Sequence, residues 1–285
     1  MDPDSGGYIN TSTIFKTSLL TITFSAFYFY RTEKYSQPFK LTLEKKDSIA
    51  VAEKKQAKPV KKKKKTIYLT FDDGPNKGTR SVMHIIEQEQ VPVTLFVVGE
   101  HVYGSRYQSA IYDSVCQSRL FEIANHSYTH AFGNRFEKFY AVPDSAVKDF
   151  IRCADSLHLT TRIIRTPGRN IWRTDSTSCT DIKTSTAAAD SLQQNGFKAV
   201  GWDLEWHFDD KQRLVQTTEE MINQVDSAFA KSKTKIADHL VLLAHDQVYA
   251  NSQDSASLQQ FINKLKEKDE YDFEQVSKYP GVSTD

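Results

Sequence analysis

Beyond Lys65 the chain alternates short apolar runs with stretches of helical periodicity, and most of the apolar runs end in a polar cluster. Residues 66–71 (TIYLTF) read as a strand, 79–89 as a helix after the turn DGPNKG, and 93–98 (VTLFVV) as a second strand. A helix is expected over 107–117, a strand over 120–124, a helix over 144–157 capped by Asp144, and a short strand over 163–165. Residues 186–195 then read as a helix ended by Gly196, followed by a strand over 198–202 and a helix over 217–230. A buried strand over 239–243 (HLVLL) and a helix over 258–268 complete the pattern. Continuous apolar strands are those covered on both faces, and strands alternating with helices build βαβ units around a parallel sheet or barrel. In such folds the working loops gather at the carboxyl ends of the strands. Five polar clusters occupy those positions: 70–75, 125–130, 165–169, 202–206 and 243–246. On one α/β barrel they would converge.

Charge is distributed unevenly. The net charge of +1 conceals a block at 40–65 with eleven Lys against Glu44, Asp47 and Glu53, which leaves the remainder mildly acidic. A nucleic-acid-binding domain would carry its basic stripe on the folded face, so no nucleic acid partner is expected. The Lys-rich stretch 32–65 lacks the apolar content to fold alone and reads as a charged linker, with anionic lipid or wall polymer as a secondary contact. Residues 14–30 form the longest apolar run, shorter than the roughly 20 residues of a bilayer span, and fit a signal or anchor segment. Lysines following that run oppose the usual orientation of a signal anchor. These features divide the chain into a tail with an anchor (1–31), a linker (32–65) and a catalytic domain (66–285), exported or membrane-anchored at the cell envelope. Cys116, Cys153 and Cys179 are too few and scattered for a disulfide framework and read as small apolar residues.

His126 and His130 are four residues apart, a spacing that on a helical turn puts both imidazoles on one face. With a carboxylate from a neighbouring strand end they would make the three-ligand set of a catalytic zinc, leaving the fourth position for water. Asp72 and Asp73 are adjacent, and neighbours on an extended segment point to different sides. One can therefore hold the metal while the other faces the attacking water.

The series TFDDGP, HSYTH, R-x-P-G and L-x-H, in that order, resembles the polysaccharide deacetylases of the NodB type, carbohydrate esterase family 4. The resemblance implies a distorted (β/α) barrel that removes acetyl groups from N-acetylglucosamine polymers such as peptidoglycan, chitin or poly-N-acetylglucosamine, or in some members from xylan. It assigns Asp73, His126 and His130 to the metal, Zn²⁺ or another divalent ion such as Co²⁺ or Ni²⁺. Asp72 becomes the general base, Arg165 its partner, His245 the general acid, and Leu243 with Pro167 part of the substrate pocket. An amide nitrogen leaves poorly unless protonated, so an acid opposite the base is required.

Two motifs depart from the family pattern. Gly168 and Arg169 follow Pro167 where the family has an aromatic residue and a glycine. The D-x-x-D-W pattern is replaced by Trp202, Asp203, Glu205 and Trp206, with Glu205 expected to orient His245 and Asp203 as rival. Trp202, Trp206 and Trp172 are candidates for stacking on sugar rings, with core packing as the alternative. Lys77, Arg169 and Arg173 read as solvated surface, and the sequon at Asn125 as accidental. Two other functions stay open: an O-acetyl esterase with the same site, and a glycan-binding module whose site has decayed.

Overall fold

The computed structural model describes residues 63–282. The apolar segment 14–30 and most of the Lys-rich linker lie outside the described residues. Among those described, no helix is long and apolar enough to cross a membrane.

The elements follow in the order β1 (Lys65–Gly74), α1 (Thr79–Glu89), β2 (Val93–Val97), α2 (Gly99–Val102), α3 (Arg106–Gln117) and β3 (Phe121–Asn125). The turns α4 (His130–Asn134) and α5 (Phe136–Tyr140) precede α6 (Pro143–Leu157), β4 (Ile163–Ile164), β5 (Ile171–Arg173) and β6 (Ser178–Thr180). Then come α7 (Thr186–Gln194), β7 (Lys198–Ala199), β8 (Leu204–Glu205), α8 (Thr218–Ala230), β9 (His239–His245), α9 (Ser252–Glu267) and β10 (Tyr271–Phe273). The strands form one sheet in the order β6-β5-β7-β4-β3-β2-β1-β9-β8, with β10 also on β1. All pairings are parallel except those of β5 with β6 and β7. The path ends at β6 and β8, so the expected α/β barrel is incomplete: a curled sheet with helices outside.

Alternation along the strands sorts the side chains. Ile67, Leu69 and Phe71 of β1 and Leu240, Leu242 and Ala244 of β9 pack in one cluster with residues of α1, α8 and α9. Tyr68 and Val241 face the other way, with Phe96, Ala124 and Ile163. Continuing that inner row in steps of two reaches Asp72 from Tyr68, His245 from Val241, and Arg165 from Ile163. The chemistry-bearing residues therefore sit where an inward apolar row runs out at the carboxyl end of its strand.

Several boundaries differ from expectation. α9 starts at Ser252 because Asn251 caps it, accepting from the N–H groups of Gln253 and Asp254; the polar composition of 252–257 hid that turn. Asp144 lies in the first turn of α6, whose cap position is Val142 with Pro143 as first helical residue. β1 includes Lys65, one residue before the expected domain edge. β4 and β7 are only two residues long, shorter than the expected strands over 163–165 and 198–202. The three cysteines are free, with Cys153 buried, Cys179 half-buried and Cys116 exposed.

Candidate metal centre and catalytic cavity

β1 breaks register with β2 between Phe71 and Gly74, and Asp73 takes a left-handed φ of 72°. That twist separates the two carboxylates. Asp72 stays on the inner face at 3% exposure, while Asp73 turns toward the loop after β3. His101, from α2, bonds the Asp73 carbonyl oxygen through Nδ1 at 2.7 Å, and Gln247 Nε2 lies 3.4 Å from Asp73 Oδ2.

The two histidines do not share a right-handed helical turn, contrary to expectation. Ser127 and His130 have positive φ, and Ala131, Phe132 and Gly133 all lie in the left-handed region. Short polar contacts hold this path. Asp149 on α6 accepts the N–H groups of Tyr128 and Thr129 at 2.9 and 3.1 Å. Asn125 accepts from the Ser127 N–H and donates to the Phe150 carbonyl; with Asn125 buried and so engaged, its sequon is accidental.

The imidazoles are set by their outer nitrogens. His126 Nδ1 donates to the Arg165 carbonyl oxygen at 2.9 Å, and His130 Nδ1 donates to Asn134 Oδ1. Each Nε2 is thereby left with a lone pair, the arrangement that a hydrogen bond from the far ring nitrogen usually imposes on metal-binding histidines. Asp73 Oδ1 lies 3.1 Å from His130 Nε2 and 3.5 Å from His126 Nε2, yet it is buried with no hydrogen-bond partner. Three electron-pair donors facing one point repel each other unless a cation lies between them. The trio is also the His/His/carboxylate cluster whose ligand atoms all lie within 4.8 Å of one another. It fits a divalent transition metal with an open coordination position. Burial works against ionisation of Asp73, but the pull of His126 and His130, exerted when an Nε2 carries a proton in place of an ion, outweighs it and holds the carboxyl well below the usual range. Burial likewise lowers the His130 imidazole, and Asp73 more than restores it.

Beside the trio, Asp72 Oδ1 accepts from Arg165 Nη1 at 2.8 Å. The buried guanidinium also donates to Thr70 Oγ1, to the Val200 carbonyl oxygen and to the Gly201 carbonyl oxygen, and it lies 4.1 Å from the Phe96 ring centroid. Such a charge is fixed in place rather than free to swing. His245 stands in register with Asp72 on the neighbouring strand, its ring 5.0 Å from that of Phe208.

Glu205 does not orient His245. Its Oε1 lies 3.3 Å from His207 Nδ1, and His245 Nδ1 is buried without a hydrogen-bond partner. Asp203 is no substitute: it accepts the N–H groups of Lys235 and Val241, and burial pushes its carboxyl up to about 6. Glu205 lines the cavity instead of standing behind the imidazole.

The cavity, about 310 Å³, is lined by Asp72, Asp73, His126, His130, Phe136, Gly168, Trp202, Glu205, Leu243 and His245. Trp202 is thus available to a ligand. Trp206 is not: it is fully buried, donates to the Gln216 carbonyl oxygen, and packs 5.1 Å from Phe261 among the outer helices. Trp172 is equally buried, against Tyr279. Pro167 is buried behind the cavity wall, its carbonyl accepting from Tyr140. Arg173 is buried and paired with Asp190 rather than solvated, whereas Lys77 is exposed. His101, Asn134, Asp149, Gln247 and Phe136 carry no motif; only the four-residue step from His130 to Asn134 hints at a role.

Residues 59–169 match the family model described as polysaccharide deacetylase. The chain is 27% identical over 213 residues to YheN of Bacillus subtilis (strain 168), a protein bearing a polysaccharide deacetylase name, covering 72% of this chain and 64% of that protein. It is 32% identical over 146 residues to the chitooligosaccharide deacetylase of Sinorhizobium fredii, covering 49% of this chain and 58% of the other. The chain thus spans less than two thirds of either relative. Its fold resembles that of the catalytic domain of peptidoglycan N-acetylglucosamine deacetylase from Eubacterium rectale, with a TM-score of 0.54 at 21% identity over 79% of this chain and 94% of that one.

Proposed function

We propose, from the match of residues 59–169 to the polysaccharide deacetylase family model, that the chain is a metal-dependent hydrolase removing N-acetyl groups from N-acetylglucosamine polymers, whether peptidoglycan, chitin-like or poly-N-acetylglucosamine. One observation carries this reading: Asp73, His126 and His130 converge in a cavity that also holds the Asp72–Arg165 pair and His245. A divalent ion such as zinc, cobalt or nickel, if held by Asp73, His126 and His130, would supply acidity to a water and polarise the acetyl carbonyl. Asp72 accepts the proton of the attacking water, and Arg165 holds that carboxylate in position. His245, on the adjoining strand, donates a proton to the departing amine. Leu243 bounds the acetyl group, and Trp202 offers a face to the sugar.

One observation favours a second reading. His245 has no carboxylate behind it, and an alkoxide leaves with less help from an acid than an amine does. An O-acetyl esterase of the xylan type therefore remains the rival. Full-length protein supplied with Zn²⁺ should release acetate and free amine in equal amounts from N-acetylated chitooligosaccharides, and neither after chelation. Acetate from acetylxylan alone identifies the esterase; none from either with zinc, cobalt or nickel identifies a binding module. The apolar run at 14–30 supports a cell-envelope address, exported or membrane-anchored, as part of the same proposal.

A further inference from the structure

We infer that Phe136 is the aromatic platform on which the sugar ring carrying the acetyl group packs, an inference that rests on the deacetylase reading above. Three independent contacts lead to it. Phe136 lines the cavity together with the metal trio, His245 and Trp202, and its ring stands edge-to-face with His130, 5.9 Å between centroids. The ring also fills the space that a side chain at position 168 would need. A Cβ built on Gly168 would lie 2.8 Å from the ring carbons of Phe136, and Gly168 has a left-handed φ of 62°. The turn after Arg165 thus contributes backbone only, and the aromatic surface at that edge of the cavity arrives from α5. Finally, the ring is held in place. Phe136 and Tyr140 lie four residues apart, on one face of α5. Tyr140 donates to the Pro167 carbonyl oxygen at 2.7 Å, and the Arg169 guanidinium sits 5.7 Å from the Phe136 centroid and 5.9 Å from that of Tyr140. The turn 165–169 and α5 are therefore locked together.

The chemistry suits a pyranose. Such a ring has a face of C–H groups that packs on an aromatic surface, and its polar edge stays free for the acetyl group to reach the metal trio. A half-buried phenyl side chain beside a ligand histidine offers that apolar surface without competing for the metal, since it has no donor atom. Phe136 is a specificity-determining residue, not a proton carrier.

The test uses full-length protein with Zn²⁺ and two probes: N-acetylchitotetraose, which has sugar rings, and 4-nitrophenyl acetate, which has none. Phe136→Ala is expected to lower kcat/KM on the tetraose about ten- to a hundredfold, the size that losing a phenyl contact surface carries, with most of the change in KM. The same variant should keep its rate on 4-nitrophenyl acetate and its affinity for Co²⁺. Phe136→Tyr should restore the tetraose activity, and Phe136→Leu should not. Equal losses on both probes with weakened Co²⁺ binding would mean that the ring only supports His130, and would overturn the inference. So would an unchanged tetraose rate in Phe136→Ala, or full activity in Phe136→Leu. A wild-type protein that hydrolyses the aryl ester but no N-acetylated glycan defeats the deacetylase reading itself, and the inference with it.

Discussion

Asp72 and Asp73 are neighbours in the chain, yet a single left-handed residue gives them opposite duties. The first is buried on the inner face against a fixed guanidinium, the second faces two imidazole lone pairs. Their variants should therefore fail differently. Asp72→Asn is expected to keep metal in full and lose about 10²–10⁴-fold in kcat, the usual worth of a positioned base. His126→Ala should lose the metal itself, leaving one imidazole and one carboxylate. Metal analysis beside steady-state rates separates them, and an Asp72→Asn enzyme near wild-type rate would remove Asp72 from the role of base. A third carboxyl behaves otherwise. Asp246 is fully buried, accepts from Thr79 and Asn76, and is pushed by burial up to about 7 from 3.8. The folded chain then holds this proton more tightly than the unfolded chain does. Its stabilising contribution is complete below about pH 4 and is lost as pH rises to about 7. Asp246→Asn, neutral throughout, should lose less melting temperature than wild type between those limits; parallel melting curves would count against the shifted carboxyl.

At the scale of elements, the loop from Ser127 to Asn134 is the expensive part. Left-handed backbone costs an L-residue roughly 1–2 kcal/mol, and here His130, Ala131 and Phe132 have positive φ in succession before Gly133, which adopts it freely. Asp149, reaching from α6 to two backbone N–H groups and the Thr129 hydroxyl, offsets part of that cost. Asp149→Ala orphans those donors, so unfolding in urea should come about 1–3 kcal/mol earlier and metal affinity should fall roughly 10–100-fold. An unchanged metal affinity would show that α6 does not set the geometry of the histidines. The same loop shows what the sequence conveys and what it conceals. His126 and His130 were legible because they follow an apolar strand in a parallel fold, where functional groups collect. The conformation between them was not, since H-x-x-x-H spacing fits an ordinary helical turn equally well. Asp149 and Phe136 escaped because each acts from an element with its own reasons for its composition. Glu205 was misjudged because β8, two residues long, has no periodicity from which to read its direction. β5, β6 and β10 were missed for the same reason, each being three residues long.

Across the whole molecule, the metal should act as a structural clasp as well as a reagent. A ligand that binds only the folded state adds about 2.7 kcal/mol when present at a hundred times its dissociation constant. Zinc at that excess should raise the urea stability by this amount, and a chelator should reverse it; coincident curves with and without zinc would mean the trio is not preorganised for an ion. The sheet order carries a further consequence. β1 pairs along one edge with β9 and shares the other between β2 and β10. A nascent chain emerging from the ribosome therefore presents its central strand early, with one flank bare until residues 239–245 have been synthesised. The same late segment delivers His245. Translation that stops short of it would leave both an incomplete catalytic set and an uncovered hydrogen-bonding edge, the kind of surface that chaperones hold and that aggregates grow from.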